Sequence, residues 1–201
     1  MIGMILWAIS RFLILTVFRI LYKVKFEGLE NIPKKGGYIY ASNHRSNADP
    51  VFVAVKVRIP FAYMAKKELF EGNKFFKWLI TVFGAYPLER GIGDRSAVDE
   101  GIKRIRAGKN FMIFPEGTRS KDGKVGRGKT GIAIIAAEAK TQIIPIGISY
   151  EGELKFRTKV TVRYGKPINI TNIVTTVPPV KSELKELVNV IMAEIEKLVY
   201  A

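Results

Sequence analysis

Hydrophobic and polar positions follow two periodicities along this chain. Short apolar runs that stop at turn residues read as buried strands: "YIYAS" at 38–42, "FAYMA" at 61–65, "NFMIF" at 110–114, "QIIPIGI" at 142–148 and "TKVTVRY" at 158–164. Between them, longer stretches predict helices over 50–57, 73–82, 94–107 and 129–139. The tail "SELKELVNVIMAEIEKLV" spaces Leu184, Leu187, Ile191, Ile195 and Leu198 three or four apart. That spacing predicts a core-facing helix, announced by Pro178 and Pro179. Strands interleaved with helices predict an α/β fold with a mixed, largely parallel sheet flanked by helices, and functional residues gathered at strand ends. The chain has no internal repeat and no low-complexity tract, so residues 24–201 read as one domain.

The first segment breaks this pattern. Residues 2–22, "IGMILWAISRFLILTVFRILY", are almost wholly apolar, but Arg11 and Arg19 interrupt the run before it reaches the ~18 to 20 uncharged residues of a spanning helix. At about 100° per residue, Arg11, Arg19, Tyr22 and Lys23 share one arc, and Leu6, Ile9, Leu13, Val17 and Ile20 lie toward the other side. Residues 1–23 therefore read as an anchoring helix in a membrane interface, with Trp7, Phe12 and Phe18 beside Arg11 and Arg19 at the headgroup boundary. The alternative is a core helix of a soluble domain. A cleaved signal peptide fits poorly, because no basic residue precedes the apolar run and no small-residue cleavage site follows it.

Charge narrows the partners. The chain of 201 residues carries 33 Lys plus Arg against 18 Asp plus Glu, a formal net charge of +15, which selects for anions: nucleic acid, anionic lipid or a phosphorylated substrate. Nucleic acid is disfavoured, since no RNP-type aromatic pattern, helix-turn-helix signal or zinc pattern is present and the apolar first helix would have no role. With no cysteine and one histidine, thiolate nucleophiles and Cys-based or His-rich metal sites are excluded, and neither metal nor cofactor is expected.

That single histidine, His44, sits in "NHRSNADP", residues 43–50, five positions before Asp49. Asp49 precedes Pro50, a favoured first residue of a helix, and so reads as an N-cap. It also reads as a hydrogen-bond partner that fixes the imidazole tautomer and leaves the other nitrogen free to take a proton. No G-x-S-x-G elbow supplies a nucleophile, so a base here would activate a hydroxyl of the substrate. A second cluster, "FMIFPEGTRS" at 111–120, delivers Glu116 and Arg119 at a strand end through a turn set by Pro115 and Gly117. Residues 101–130 hold nine cations (Lys103, Arg104, Arg106, Lys109, Arg119, Lys121, Lys124, Arg127, Lys129) against Glu116 and Asp122, which makes an anion site if they share a face. "GAYPLERG" at 84–91 ends similarly in Glu89 and Arg90, and two such arginines can clamp one phosphate.

"NHRSNAD", "GAYPLERG", "FPEGTR" and "IIPIGI" resemble, in order and approximate spacing, the four motifs of the glycerolipid acyltransferases, most of all the 1-acyl-sn-glycerol-3-phosphate (lysophosphatidate) acyltransferases. The resemblance spans about residues 25–170. It implies that His44 is the general base oriented by Asp49, that Arg90 and Arg119 bind the acceptor phosphate, that Glu116 and Gly117 shape the acceptor side, and that Pro145 lies beside the acyl pocket. It also implies an acyltransferase domain over 24–201, lysophosphatidic acid and an acyl thioester (acyl-CoA or acyl carrier protein) as substrates, and phosphatidic acid as product; a place on the cytoplasmic face of the cell membrane is expected from where acyl thioesters are made and from the basic flanks of the first helix. Tyr86 to Glu89 depart from the apolar run expected before the arginine, which leaves the role of Glu89 open. A sibling enzyme using glycerol 3-phosphate or another lysophospholipid carries the same motifs, and a non-catalytic basic membrane-binding module would share the charge.

Overall fold

The computed structural model describes residues 2–66, 70–82, 84–88, 94–120 and 122–201. Seven strands form one sheet in the order β1-β7-β6-β2-β5-β3-β4. They are β1 (Lys23–Glu27), β2 (Ile39–Ser42), β3 (Phe61–Lys66), β4 (Ala85–Leu88), β5 (Asn110–Ile113), β6 (Ile143–Ser149) and β7 (Lys159–Tyr164). Every pairing is parallel except β6 with β7, which is antiparallel and leaves β1 and β7 running against the other five. The helices are α1 (Ile2–Leu21), α2 (Asp49–Ala54), α3 (Lys74–Val82), α4 (Asp94–Arg106), α5 (Gly131–Ala139) and α6 (Lys181–Tyr200).

The sheet separates two apolar cores, and strand alternation decides which side chain enters which. Ile39 and Ala41 of β2, Phe111 of β5 and Ile143 of β6 face α4, α5 and α6, where Ile102, Ile135, Leu187, Ile191 and Ile195 close over them. Tyr40, Met112, Ile144, Ile146 and Ile148 point the other way, toward Phe52 and Val53 of α2, toward Ile14 and Phe18 of α1, and toward Tyr22 just beyond it. A central strand covered on both faces has no polar side to show, which is why "YIYAS" and "IIPIGI" are continuous apolar runs. Pro145 sits mid-strand in β6 opposite Ala41. Its carbonyl accepts from Gly165 N at 2.8 Å, so the donor it lacks would face the β7 side, past that strand's end, and the β2 ladder is undisturbed.

The first helix turns Arg11 and Phe18, with Tyr22 just after it, inward. Arg11 donates to Val55 O at 3.4 Å, and Phe18 and Tyr22 pack edge-on against Phe52 at 5.1 and 5.5 Å between centroids. Phe18 therefore belongs to the core and not to the lipid-facing aromatics with which its sequence neighbours grouped it. Ile9, Phe12, Leu13, Val17 and Ile20 are exposed, and Arg19 lies on the exposed flank; the side chain of Trp7 lies outside the described residues. A core helix buries its apolar arc, and this one presents it to solvent. Among the described residues no helix is long and apolar enough to cross a membrane.

Helix α5 ends with Lys140 in the left-handed region, φ 53°, its N–H donating toward Ala136 and Ala137 carbonyls. An L side chain there costs about 1 to 2 kcal/mol, partly offset in a glycine variant by the entropy of its unfolded chain. Lys140→Gly is expected to stabilise the fold by about 0.5 to 1 kcal/mol, raising Tm by about 1 to 4 °C in a calorimetric scan.

Candidate active site

The site forms where β2 and β5 end, on the carboxyl side of the parallel strands, the edge at which open α/β sheets present their loops. Asn43 continues the sheet by one residue with its side chain: its Nδ2 donates to Ile148 O at 2.9 Å and its Oδ1 accepts from Ile148 N at 2.8 Å. The next residue, His44, leaves the sheet from a fixed point.

His44 Nδ1 lies 2.9 Å from Asp49 Oδ2, and the ring stacks on Phe114 with centroids 4.1 Å apart. Asp49 is fully buried, and the same Oδ2 accepts from Arg45 N at 2.6 Å and Ser46 N at 2.7 Å. Three donors on one oxygen compensate a charge that burial would otherwise make costly. The N-cap reading of Asp49 is corrected here: Ala48 takes the cap position and Asp49 is the first residue of α2. Its carboxylate turns back toward the loop because two loop amides and the imidazole are there to receive it. With Nδ1 as donor, Nε2 is the acceptor nitrogen, an arrangement suited to taking a proton from a hydroxyl.

The loop after β5 holds His44 from both sides. Glu116, nearly buried, accepts from His44 N at 3.0 Å through Oε1 and from Gly126 N at 3.2 Å through Oε2, while Ser120 N donates to His44 O at 2.7 Å. Gly117, with φ 73°, closes the turn by donating to Phe114 O, and a side chain at this position would run into Lys129. Glu116 thus braces the histidine loop; sequence reasoning assigned it to the acceptor side because its partners are backbone groups 72 and 10 residues away.

Burial holds the Glu116 carboxyl above its ordinary 4.5, and donors from His44 and Gly126 pull the other way without reversing it. The folded state keeps this proton to higher pH than the unfolded chain does. Ionisation of Glu116 therefore makes stability fall as pH rises from about 4.5 through the folded value. Glu116→Gln is expected to flatten that part of the profile, as measured by denaturant unfolding at a series of pH values. It should also speed hydrogen exchange at Gly126 or His44, since an amide offers one acceptor oxygen where the carboxylate offers two.

Arg119 is exposed and donates to Asn47 Oδ1 at 3.1 Å, over the His44–Asp49 loop. Beside it a concavity of about 410 Å³ is lined by Glu116, Thr118, Ser120, Lys124 and Arg127, with Asp122 tied to Ser120 Oγ and Lys124 N. The nine cations of residues 101–130 do not share one face. Arg104 and Arg106 belong to α4, where Arg104 pairs with Glu100 at 2.7 Å over the Tyr86 ring and Arg106 donates to Glu138 O; Lys109 precedes β5. Only Arg119, Lys124, Arg127 and Lys129 are described beyond the carboxyl end of β5, because the strand carries the two halves of the cluster to opposite ends. Arg90, Glu89 and Lys121 lie outside the described residues.

Sequence reasoning missed Arg45. Its guanidinium lies 3.9 Å over the Tyr150 ring and donates to Tyr150 O at 2.6 Å and Gly152 O at 3.2 Å, bolting the histidine loop to the β6–β7 connection. The Tyr150 hydroxyl is pushed up to about 12, by burial first and by the Asp49 charge second. No local pattern announces these contacts, which bridge 105 and 107 residues.

The profile of a family described as Acyltransferase matches residues 23–149. A chloroplastic 1-acyl-sn-glycerol-3-phosphate acyltransferase of Arabidopsis thaliana is 33% identical over 137 residues, 66% of this chain and 38% of its own length. A 1-acyl-sn-glycerol-3-phosphate acyltransferase of Streptococcus pneumoniae is 33% identical over 156 residues, 74% of this chain and 56% of its own length. The matched part is thus about half or less of either relative. Among solved structures, the 1-acyl-sn-glycerophosphate acyltransferase PlsC of Thermotoga maritima superposes with a TM-score of 0.75 at 29% identity, over 96% of this chain and 79% of that one.

Proposed function

The chain belongs to the acyltransferase family, and from that premise we propose that it is a membrane-associated enzyme that transfers an acyl group from acyl-CoA or acyl carrier protein to the sn-2 hydroxyl of lysophosphatidic acid. The observation that carries the chemistry is the 2.9 Å contact of His44 Nδ1 with a buried Asp49. His44 Nε2 takes the proton of the acceptor hydroxyl as that oxygen bonds to the thioester carbonyl carbon. Collapse of the tetrahedral species breaks the C–S bond, and the imidazolium returns the proton to the departing thiolate, which leaves as thiol. The products are phosphatidic acid and the free thiol of the donor.

The acceptor phosphate is held on the basic side of the loop after β5. Arg119 hangs over the dyad, and Lys124 and Arg127 line the adjoining concavity. Arg90 shares this role by its place in the second motif, Glu116 and Gly117 set the shape of that loop, and Pro145 flanks the acyl chain. The exposed arc of α1 lies in the interface at the cytoplasmic face of the cell membrane, with Arg19 at headgroup level and Phe12 in the acyl boundary, while Arg11 ties the helix to the domain; this keeps the site level with both lipid substrates.

Purified protein in vesicles, offered long-chain acyl-CoA and then acyl-loaded acyl carrier protein with lysophosphatidate, glycerol 3-phosphate or lysophosphatidylcholine, tests the reading. Phosphatidate as the main product is expected. Transfer to another acceptor alone would replace lysophosphatidate with that acceptor. No transfer from acyl-CoA or acyl carrier protein by a folded protein that binds vesicles would leave only a basic membrane-binding module.

A further inference from the structure

The connection between β6 and β7 carries an aromatic side chain that serves neither core. Phe156 is 72% exposed, more than Phe12 of α1 at 68%. The turn beneath it is stiff: Lys155 N and Thr158 Oγ1 lie 2.9 Å apart, Thr158 Oγ1 donates to Lys155 O at 2.8 Å, and Leu154 is partly buried against the core behind. The turn is also fastened to the end of α1, with Arg157 N donating to Leu21 O at 2.6 Å and Lys23 N to Thr158 O at 2.9 Å. Arg157 adopts φ 65°, which a non-glycine residue holds only at some cost in strain. The strain sets Phe156 and Arg157 beside the exposed arc of α1.

Between turn and helix lies a notch of about 450 Å³, lined by Thr16, Arg19, Ile20, Phe156 and Arg157. Two guanidinium-bearing residues share it with two apolar side chains, which is the chemistry of an amphiphile carrying a phosphate. Its helix side lacks negative charge: residues 1–25 contain Arg11, Arg19, Lys23 and Lys25 and no acid, while the turn side sets Glu151 and Glu153 against Lys155, Arg157 and Lys159. Lys56 is held below its ordinary range by burial and then by Arg19 and Arg11. An anionic surface would relieve this crowding.

We propose that the notch is a headgroup site for one anionic phospholipid of the bilayer, with Arg19 and Arg157 taking the phosphate while Ile20 and Phe156 flank the first part of an acyl chain. The turn is then a second membrane contact that fixes the roll of α1 about its axis. This rests on the membrane reading of α1 and adds to it a site and a lipid class.

The test is sedimentation of the 201-residue protein with vesicles of phosphatidylcholine alone or with added phosphatidylglycerol, whose headgroups supply a negative surface potential. Phe156→Ser should weaken partitioning into the anionic vesicles about tenfold. Arg157→Asn keeps a residue that tolerates the left-handed backbone; it should weaken partitioning about fivefold there and leave phosphatidylcholine binding unchanged. Thermal melts verify that both variants fold. If both bind anionic vesicles as wild type does while Phe12→Ser binding collapses, the notch is overturned and the anchoring helix survives. If wild type binds neither vesicle, both readings fall. A dimer in vesicle-free buffer that Phe156→Ser dissolves would overturn the lipid site in favour of a second copy of the chain.

Discussion

His44→Ala is expected to slow acyl transfer by about 100- to 10,000-fold, the range typical of removing a general base. The expectation rests on where the ring is held. Asn43 clips the chain to β6 one residue earlier, Glu116 and Ser120 fix the backbone of His44 on its N–H and its carbonyl, and Phe114 supports the ring face. Loss of the imidazole removes the ring stack and one of the three donors to Asp49 but leaves these backbone contacts and the two loop amides, so the loop should survive with a change in stability on the order of 1 to 3 kcal/mol. Measured kcat within about threefold of wild type would remove His44 from the chemistry, whatever its surroundings suggest.

Asp49→Asn should cost nearly as much, about 100- to 10,000-fold in kcat, by a different route. Oδ2 of Asp49 accepts from Arg45 N, Ser46 N and the imidazole together. An asparagine can turn its one oxygen to the two amides and so keep the turn, but it then shows its NH2 to Nδ1. The ring answers by accepting at Nδ1 and carrying its proton on Nε2, where the acceptor hydroxyl needs a base. Because the chain has a single histidine, the imidazole nitrogens give one unambiguous set of NMR signals, and the tautomer can be read directly. An unchanged tautomer with a large fall in rate would point to loss of charge stabilisation alone, and an unchanged rate would end the orienting role of Asp49. Asp49→Ala is the poorer experiment, since two part-buried amides without acceptors cost up to about 1 to 3 kcal/mol each and disturb the loop as well.

Much of the architecture was legible. The five strands read from apolar runs are present because their residues are buried by neighbours on one or both sides, and that leaves a plain mark in sequence. Two edge strands were not read. β1, "KVKFE", alternates lysines with Val24 and Phe26 over only five residues beside a longer apolar helix, and β4, "AYPL", carries a proline at its third position. Of the site, the His44–Asp49 spacing was visible because both partners lie in one loop. Glu116 was seen and its contacts were not, while Arg45 was not seen at all, because their partners are backbone groups that only the folded sheet brings near. The basic cluster misled for the converse reason: neighbours in sequence were separated by the length of β5.

The inward arc of α1 has a practical consequence. Phe18 and Tyr22 roof Phe52, and Phe52 stands three residues after Asp49 on the single short helix α2. A version trimmed of residues 1–22 to gain solubility would uncover that ring and free the helix whose first residue contacts the histidine. The greasy segment a biochemist would cut away first is also the keystone above the His44–Asp49 turn, so a soluble fragment that proved inert would say little about the protein that keeps it.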